Sequence, residues 1–257
     1  MRRRAGPQES EGTTTIGRAV TEEAPMDPLR KISLVAGGAY LLTFVSIPTV
    51  GLYAPVRESD YVLGTTSPAP VVLGGVLEVV VALACIGTAV ALYPVLKHQG
   101  QARALGLVGA RVLEAAGILA GVASILTLVA LRESDAGPDA LVTGRMLVAF
   151  YDSVFLLSQG FLPAVNALLL GTLLYQSRLV PRVLPVLGLI GAPLLVASDL
   201  GTLFGAWDRL SPVAAVAALP IAVWEFSLGV YLVVKGFRPS PVTAGTAGPR
   251  PVQDATV

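Results

Sequence analysis

Charge is scarce in this chain. Of its 257 residues only 14% are Asp, Glu, Lys or Arg, while 54% are hydrophobic, whereas a soluble domain ordinarily carries about 25% charged residues. That shortage excludes an ordinary water-soluble surface and makes lipid the expected solvent. Cysteine is almost missing too. Cys85 alone excludes an internal disulfide and a zinc cluster of thiolates, and it reads as a small packing residue in an apolar run. Histidine occurs once, as His98 in a short basic loop with no second ligand nearby, which suits a solvated side chain better than a metal ligand. The formal net charge is +1 and the basic residues are scattered at the ends of apolar runs, so there is no footprint for nucleic acid. No Gly-x-Ser-x-Gly elbow, P-loop, His-Glu-x-x-His or Cys-x-x-Cys occurs. No catalytic residue is assigned, no cofactor or metal is expected, and an enzymatic role is not favoured.

Long apolar runs are what the chain has in abundance. Six lie at about 32–54, 71–96, 104–131, 145–175, 183–204 and 212–235, each long enough for the roughly 18 to 20 residues a helix needs to cross the hydrocarbon. The expected fold is all-α: a polytopic transmembrane helix bundle of six spans occupying residues 29–238. The fourth run is too long for one untilted crossing at about 1.5 Å per residue, and it contains Gly160 and Pro163. It reads as an interfacial or kinked helix, "RMLVAFYDSVF", followed by the crossing itself, "LPAVNALLLGTLLY". Residues 1–28 are polar and lack the apolar stretch of a signal peptide, and Met26 offers an alternative start. Residues 239–257 are of low complexity, and both tails are expected to be disordered.

Orientation follows from where lysine and arginine cluster. Arg30 and Lys31, Lys97 and Arg103, Arg178 and Arg182, then Lys235 and Arg238 flank the spans on one side. The alternate loops hold Arg57, Arg132 and Arg209, with Arg145 at a helix start, and most of the loop acids: Glu58, Asp60, Glu133, Asp135, Asp139 and Asp208. Cytoplasmic loops are enriched in Lys and Arg. Both termini are therefore expected in the cytoplasm, and the protein in a bacterial cytoplasmic membrane with the lipid bilayer as its first partner. "LGLVGA" at 105–110 and "LGLIGA" at 187–192 both open a helix rising from a basic loop, which would suit either a duplicated helix pair or chance in a Leu-, Gly- and Ala-rich composition.

Ionisable residues in the middle of a span cost about 2.5–3.5 kcal/mol each on insertion scales and mark function by default. Here they are Glu78, Arg111, Glu114, Asp152, Asp199 and Glu225. Arg111 and Glu114 are three residues apart and share a helical face. Glu114 lies ten residues from Ala104 and Glu225 ten from Lys235, so these two and Arg111 can meet at one depth. A polar intramembrane centre of Arg111, Glu114, Glu225 and Glu78 is expected. Asp152 and Asp199, with Tyr151 and Asn166, suit an outward-facing vestibule, although each aspartate alone also suits a hydrated interface. The aspartates of "FYDSVF" and "VASDLG" lack the glycine-flanked motif of intramembrane aspartyl proteases.

The phrases "RKISLVAGGAYLLTFVSIP" with "LYAPV", "GGVLEVVVALACIGTAVALYPVLK", "ARALGLVGARVLEAAGIL" and "LLLGTLLYQSRLVPRVLPVLGLIGAPLL" cover most of residues 30–235. Together they resemble a family of bacterial polytopic membrane proteins called domain of unknown function 4386. The resemblance implies a membrane helix bundle in which Glu78, Arg111, Glu114 and the loop bearing Ser177, Arg178, Pro181 and Arg182 are recurrent features; it implies no activity. Two functional readings remain open. One is binding or passage of a small molecule, cation or proton through the polar centre; the other is a non-enzymatic scaffold or stress-response protein whose buried charges are structural. A membrane enzyme acting on lipid comes third.

Overall fold

A computed structural model describes residues 26–58, 60–134 and 137–241, and the tail expectations for 1–25 and 242–257 lie outside the described residues. Among the described residues all regular structure is helical. Five helices are long and apolar enough to cross a membrane: Pro28–Leu52, Ala69–Glu133, Ala140–Ser177, Val183–Leu203 and Pro212–Val234. Outward-facing Val35, Leu83, Leu113 and Val216 are exposed, as expected of side chains whose solvent is lipid.

Helix α1 (Pro28–Leu42) starts where Asp27 accepts a bond from the Leu29 amide and Pro28 fills the first turn, a position where proline loses nothing because that amide has no helical partner. A 3₁₀ turn, Thr43–Ser46, carries the chain to Pro48 and the short α2 (Thr49–Leu52). Helix α3 (Ala69–Glu133) is continuous by hydrogen bonding but bends back at Gly100, whose φ of −178° and ψ of 94° are extended. Its arms are antiparallel: Gly75 faces Val122, and Cys85 faces Arg111, so paired positions sum to a nearly constant number centred on the turn.

Helix α4 (Ala140–Phe155) runs through a π turn, Leu156–Phe161, into α5 (Leu162–Ser177). The fourth apolar run is thus one continuous 38-residue helix with the π turn between its two stretches, "RMLVAFYDSVF" and "LPAVNALLLGTLLY". Its irregularity sits just before Pro163, which has no amide to donate to the preceding turn. Helices α6 (Val183–Leu203) and α7 (Pro212–Val234) complete the bundle.

The helices close a ring in which α1 packs on α7, α7 on α6, α6 on α5, α5 on α3 and α3 on α1, with α4 against α3. Small residues permit the close approaches that drive helix association in lipid: a Cβ on Gly37 of α1 would lie 2.7 Å from the Gly229 carbonyl of α7. One end of the bundle is basic. There Arg30 donates to the carbonyls of Leu232 and Val233, Arg103 to Gln176, and the Arg238 amide to the Leu179 carbonyl. At the other end Arg132 donates to the carbonyls of Gly64 and Thr66, and Arg57 meets Asp152. Apolar cores around Trp224, Leu170 and Leu92 at the basic end, and around Ile125, Leu128 and Val71 at the other, leave a middle layer around Cys85 and Ile118. The polar clusters border that layer.

Candidate functional site

The first cluster is built on the second arm of α3. Arg111, 1% exposed, donates through one terminal nitrogen to Glu114 Oε2 at 3.1 Å, with Cys85 Sγ at 3.6 Å. Through the other it donates to Glu225 Oε1 at 2.8 Å and to the Tyr40 hydroxyl at 3.1 Å. Asn166 Nδ2 donates to the same Glu114 oxygen at 2.7 Å. One guanidinium therefore ties α1, both arms of α3 and α7 together, and α5 joins through Asn166. A guanidinium suits this work because its fork offers several donors in fixed directions.

Arg111, Glu114 and Glu225 thus lie together. Asn166, assigned from the sequence to the outer vestibule, belongs to this cluster instead, because it is carried past the π turn to the depth of Glu114. Sequence reasoning missed Tyr40, although a signal existed: it lies ten residues from Arg30, the same depth count that links Glu114 and Glu225. Cys85, read as packing, does pack, with its sulfur against the guanidinium.

Glu78 stands apart from that group. Its carboxylate, in a residue 1% exposed, accepts from the Tyr151 hydroxyl at 2.7 Å and lies 3.5 Å from the Tyr53 hydroxyl. The rings of Tyr53 and Tyr151 meet edge to face with centroids 5.4 Å apart. Tyr53 reaches this position because Gly74, one turn before Glu78, has no Cβ; one placed there would be 2.5 Å from the ring. No ion pair to Glu78 is made among the described residues.

Above this cage, at the end opposite the basic one, a cavity of about 770 Å³ opens between α4, the end of α6 and the loop before α7. Asp152 dominates its polar wall. Arg57 donates to both Asp152 oxygens, at 2.9 and 2.7 Å, and Arg209 to Oδ1 at 2.8 Å. These hydrogen bonds hold the Arg57 guanidinium above its ordinary pKa despite partial burial, so it is a permanent cation. Arg209 also lies over the Phe155 ring, 4.1 Å from its centroid. The Trp207 indole lines the same cavity, and its N–H is buried and without an acceptor. A separate small pocket of about 20 Å³ is lined by Tyr53, Arg57, Tyr151 and Arg209.

The four vestibule residues are therefore distributed over several environments. Asp152 lines the cavity, Tyr151 binds Glu78, and Asn166 binds Glu114. Asp199 is buried against Gly160 of the π turn, with Oδ2 unpaired. A Cβ at position 160 would lie 2.8 Å from Asp199 Oδ2, so the carboxylate would have to turn aside. Arg57 and Arg209, counted in the sequence only as loop charges, turn out to line this cavity of about 770 Å³. Nothing local marks them, because their partner is 95 residues from one and 57 from the other.

A family described as Domain of unknown function (DUF4386) matches residues 35–236. No curated protein and no solved structure matches the chain.

Proposed function

The chain belongs to the DUF4386 family, and from that premise we propose that it is a six-span integral membrane protein that binds a small solute from the side opposite its basic end. The bend at Gly100 supports six crossings: it divides α3 into two arms of about thirty residues, each rising about 45 Å, more than a hydrocarbon core of about 30 Å requires. An even number of crossings leaves both chain ends on one side. The cluster of Arg30, Lys31, Lys97, Arg103, Arg178, Arg182, Lys235 and Arg238 at that end makes it cytoplasmic by the enrichment of basic loops there.

The cavity of about 770 Å³ carries the solute reading. Ligand sites are concave, about 300–1,000 Å³, and part polar, and this one combines a charged wall with Leu156, Leu203 and Leu210. The Arg111 cluster has a different role in this reading. With Arg111 at 1% exposure and bonded across helices, it is a lock that sets helix register, a use to which buried ion pairs are suited.

The test is solvent access. Thr202→Cys, on the cavity wall, should react with a membrane-impermeant maleimide applied from the periplasmic side and not from the cytoplasmic side, with unaltered protein showing the background from buried Cys85. Protection from both sides would sink the solute reading, and reaction from the cytoplasmic side would reverse the orientation.

A further inference from the structure

The same cavity also carries information about what it takes. Asp152 is an oxyanion held between two guanidiniums, and Arg57 clamps it through both of its oxygens while Arg209 adds a third bond. This is the planar, forked recognition that arginine gives to carboxylate and phosphate. Arg209 spends one recorded hydrogen bond on Asp152, and a guanidinium carries five N–H groups, so donor capacity remains. The Trp207 indole N–H is a further buried donor with no acceptor, and a buried donor of that kind calls for a partner. Arg209 and Trp207 therefore leave donor capacity unspent on this wall. Acceptors on the same wall are Asp152, already engaged, Asp208, exposed at the rim, and the hydroxyl oxygens of Ser153 and Thr202. Leu156, Leu203 and Leu210 supply an apolar surface beside these donors.

We propose that the cavity takes a small organic oxyanion, a carboxylate or phosphate monoester on an apolar body, which competes with Asp152 for Arg57 and Arg209 and accepts the Trp207 N–H. The proposal rests on the reading of this cavity as a solute site and names the ligand class. Of the small molecule, cation or proton left open by the sequence, it takes the first and gives it a negative charge. Asp152 acts as an internal placeholder that keeps the two arginines aligned when the site is empty.

The experiment measures the maleimide labelling rate of the full chain carrying Thr202→Cys in the presence of benzoate, phenyl phosphate or benzylamine. Benzoate or phenyl phosphate should slow labelling in a saturable way, and benzylamine should not. Arg209→Gln should raise the half-protecting concentration about tenfold or more, the loss expected for a hydrogen bond to a charged group. Trp207→Phe, which keeps the ring and removes the N–H, should raise it severalfold. Asp152→Asn should lower it, because the competitor loses its charge; a purely structural role for Asp152 would give the opposite sign. Protection by benzylamine, absence of protection by either anion, or anion protection unchanged by Arg209→Gln and Trp207→Phe would each overturn the ligand class. In those cases labelling of Cys at position 202 would still stand as evidence for an accessible cavity. Absence of labelling would remove the cavity reading and the ligand class together.

Discussion

Glu114 and Glu78 are both shielded, at 4% and 1% exposure, yet Glu114 is met by a guanidinium and an amide while Glu78 is met by two phenols. They sit on opposite arms of one helical hairpin. Around the Arg111–Glu114 pair the partners come from the other arm of α3, α1, α5 and α7, so each bond that leaves the pair reports on a different helix contact. Around Glu78 they come from α4 and from the chain segment just before α3. The two arrangements show two ways of holding a carboxyl group within a bundle that faces lipid. One enlists an opposite charge and thereby makes several helices interdependent; the other relies on hydroxyl donors and leaves no cation dependent on the acid. Mutations should therefore travel far from the first and stay local at the second.

The largest expected effect follows from removing the shared cation. Arg111→Leu strands two carboxyl groups and the Tyr40 hydroxyl, and breaking a buried charge network from one side costs about 3–5 kcal/mol. The readout is loss of folded, monodisperse protein and of thermal midpoint in detergent. Replacing the whole network, Arg111→Leu with Glu114→Gln and Glu225→Gln, should recover much of the loss, because neutral replacement of a complete buried network is often tolerated. A triple variant as unstable as the single one would remove the electrostatic basis of the comparison.

Glu114→Gln comes next. Both donors, Arg111 and Asn166, bind the same Glu114 oxygen, which the amide can retain, so the loss is that of the negative charge facing the buried guanidinium, at about 1–2 kcal/mol, the difference between hydrogen bonds to charged and to neutral groups. At the other acid, Tyr151→Phe removes the 2.7 Å bond and should cost about 1–2 kcal/mol. Glu78→Gln keeps an oxygen for Tyr151 and strands no cation, so its cost should be about 1 kcal/mol or less. Thermal unfolding of the two glutamine variants side by side sharpens the contrast, and equal losses would abolish it.

Much of this contrast was legible in the sequence. The positions of Arg111, Glu114 and Glu225 follow from helical spacing and from depth counted along apolar runs, because a span constrained by the bilayer converts residue number into height. The same count would have found Tyr40. Residues placed by irregular backbone escaped it. Asn166 is displaced by the π turn that precedes it, and Tyr53 comes from the segment of short turns after α1, where residue number no longer measures height. Glycine had to be read by its contacts. Gly188 and Gly191 of "LGLIGA" pack against Trp224 and Ile221, whereas Gly109 of "LGLVGA" faces open space. The likeness of the two hexapeptides does not extend to shared packing.

The smallest effect belongs to the third arrangement, the pair of arginines on Asp152. Arg57 and Asp152 side chains are 33% and 35% exposed, so water screens their attraction, and pairs of this kind contribute about 0–1 kcal/mol. Arg57→Gln should therefore shift the thermal midpoint little, and raising the salt concentration should shrink that shift further. Neither salt nor solvent reaches Arg111 at 1% exposure, so the effect of Arg111→Leu should be nearly independent of ionic strength. Geometry alone would rank the two sites the other way, because Asp152 receives three hydrogen bonds of 2.7–2.9 Å from its arginines while the Arg111–Glu114 bond is 3.1 Å. Exposure decides the ranking, because the same charges interact more weakly as the effective dielectric rises. A strongly destabilising, salt-insensitive Arg57→Gln would mean that this end of the bundle is drier than its accessible surface implies.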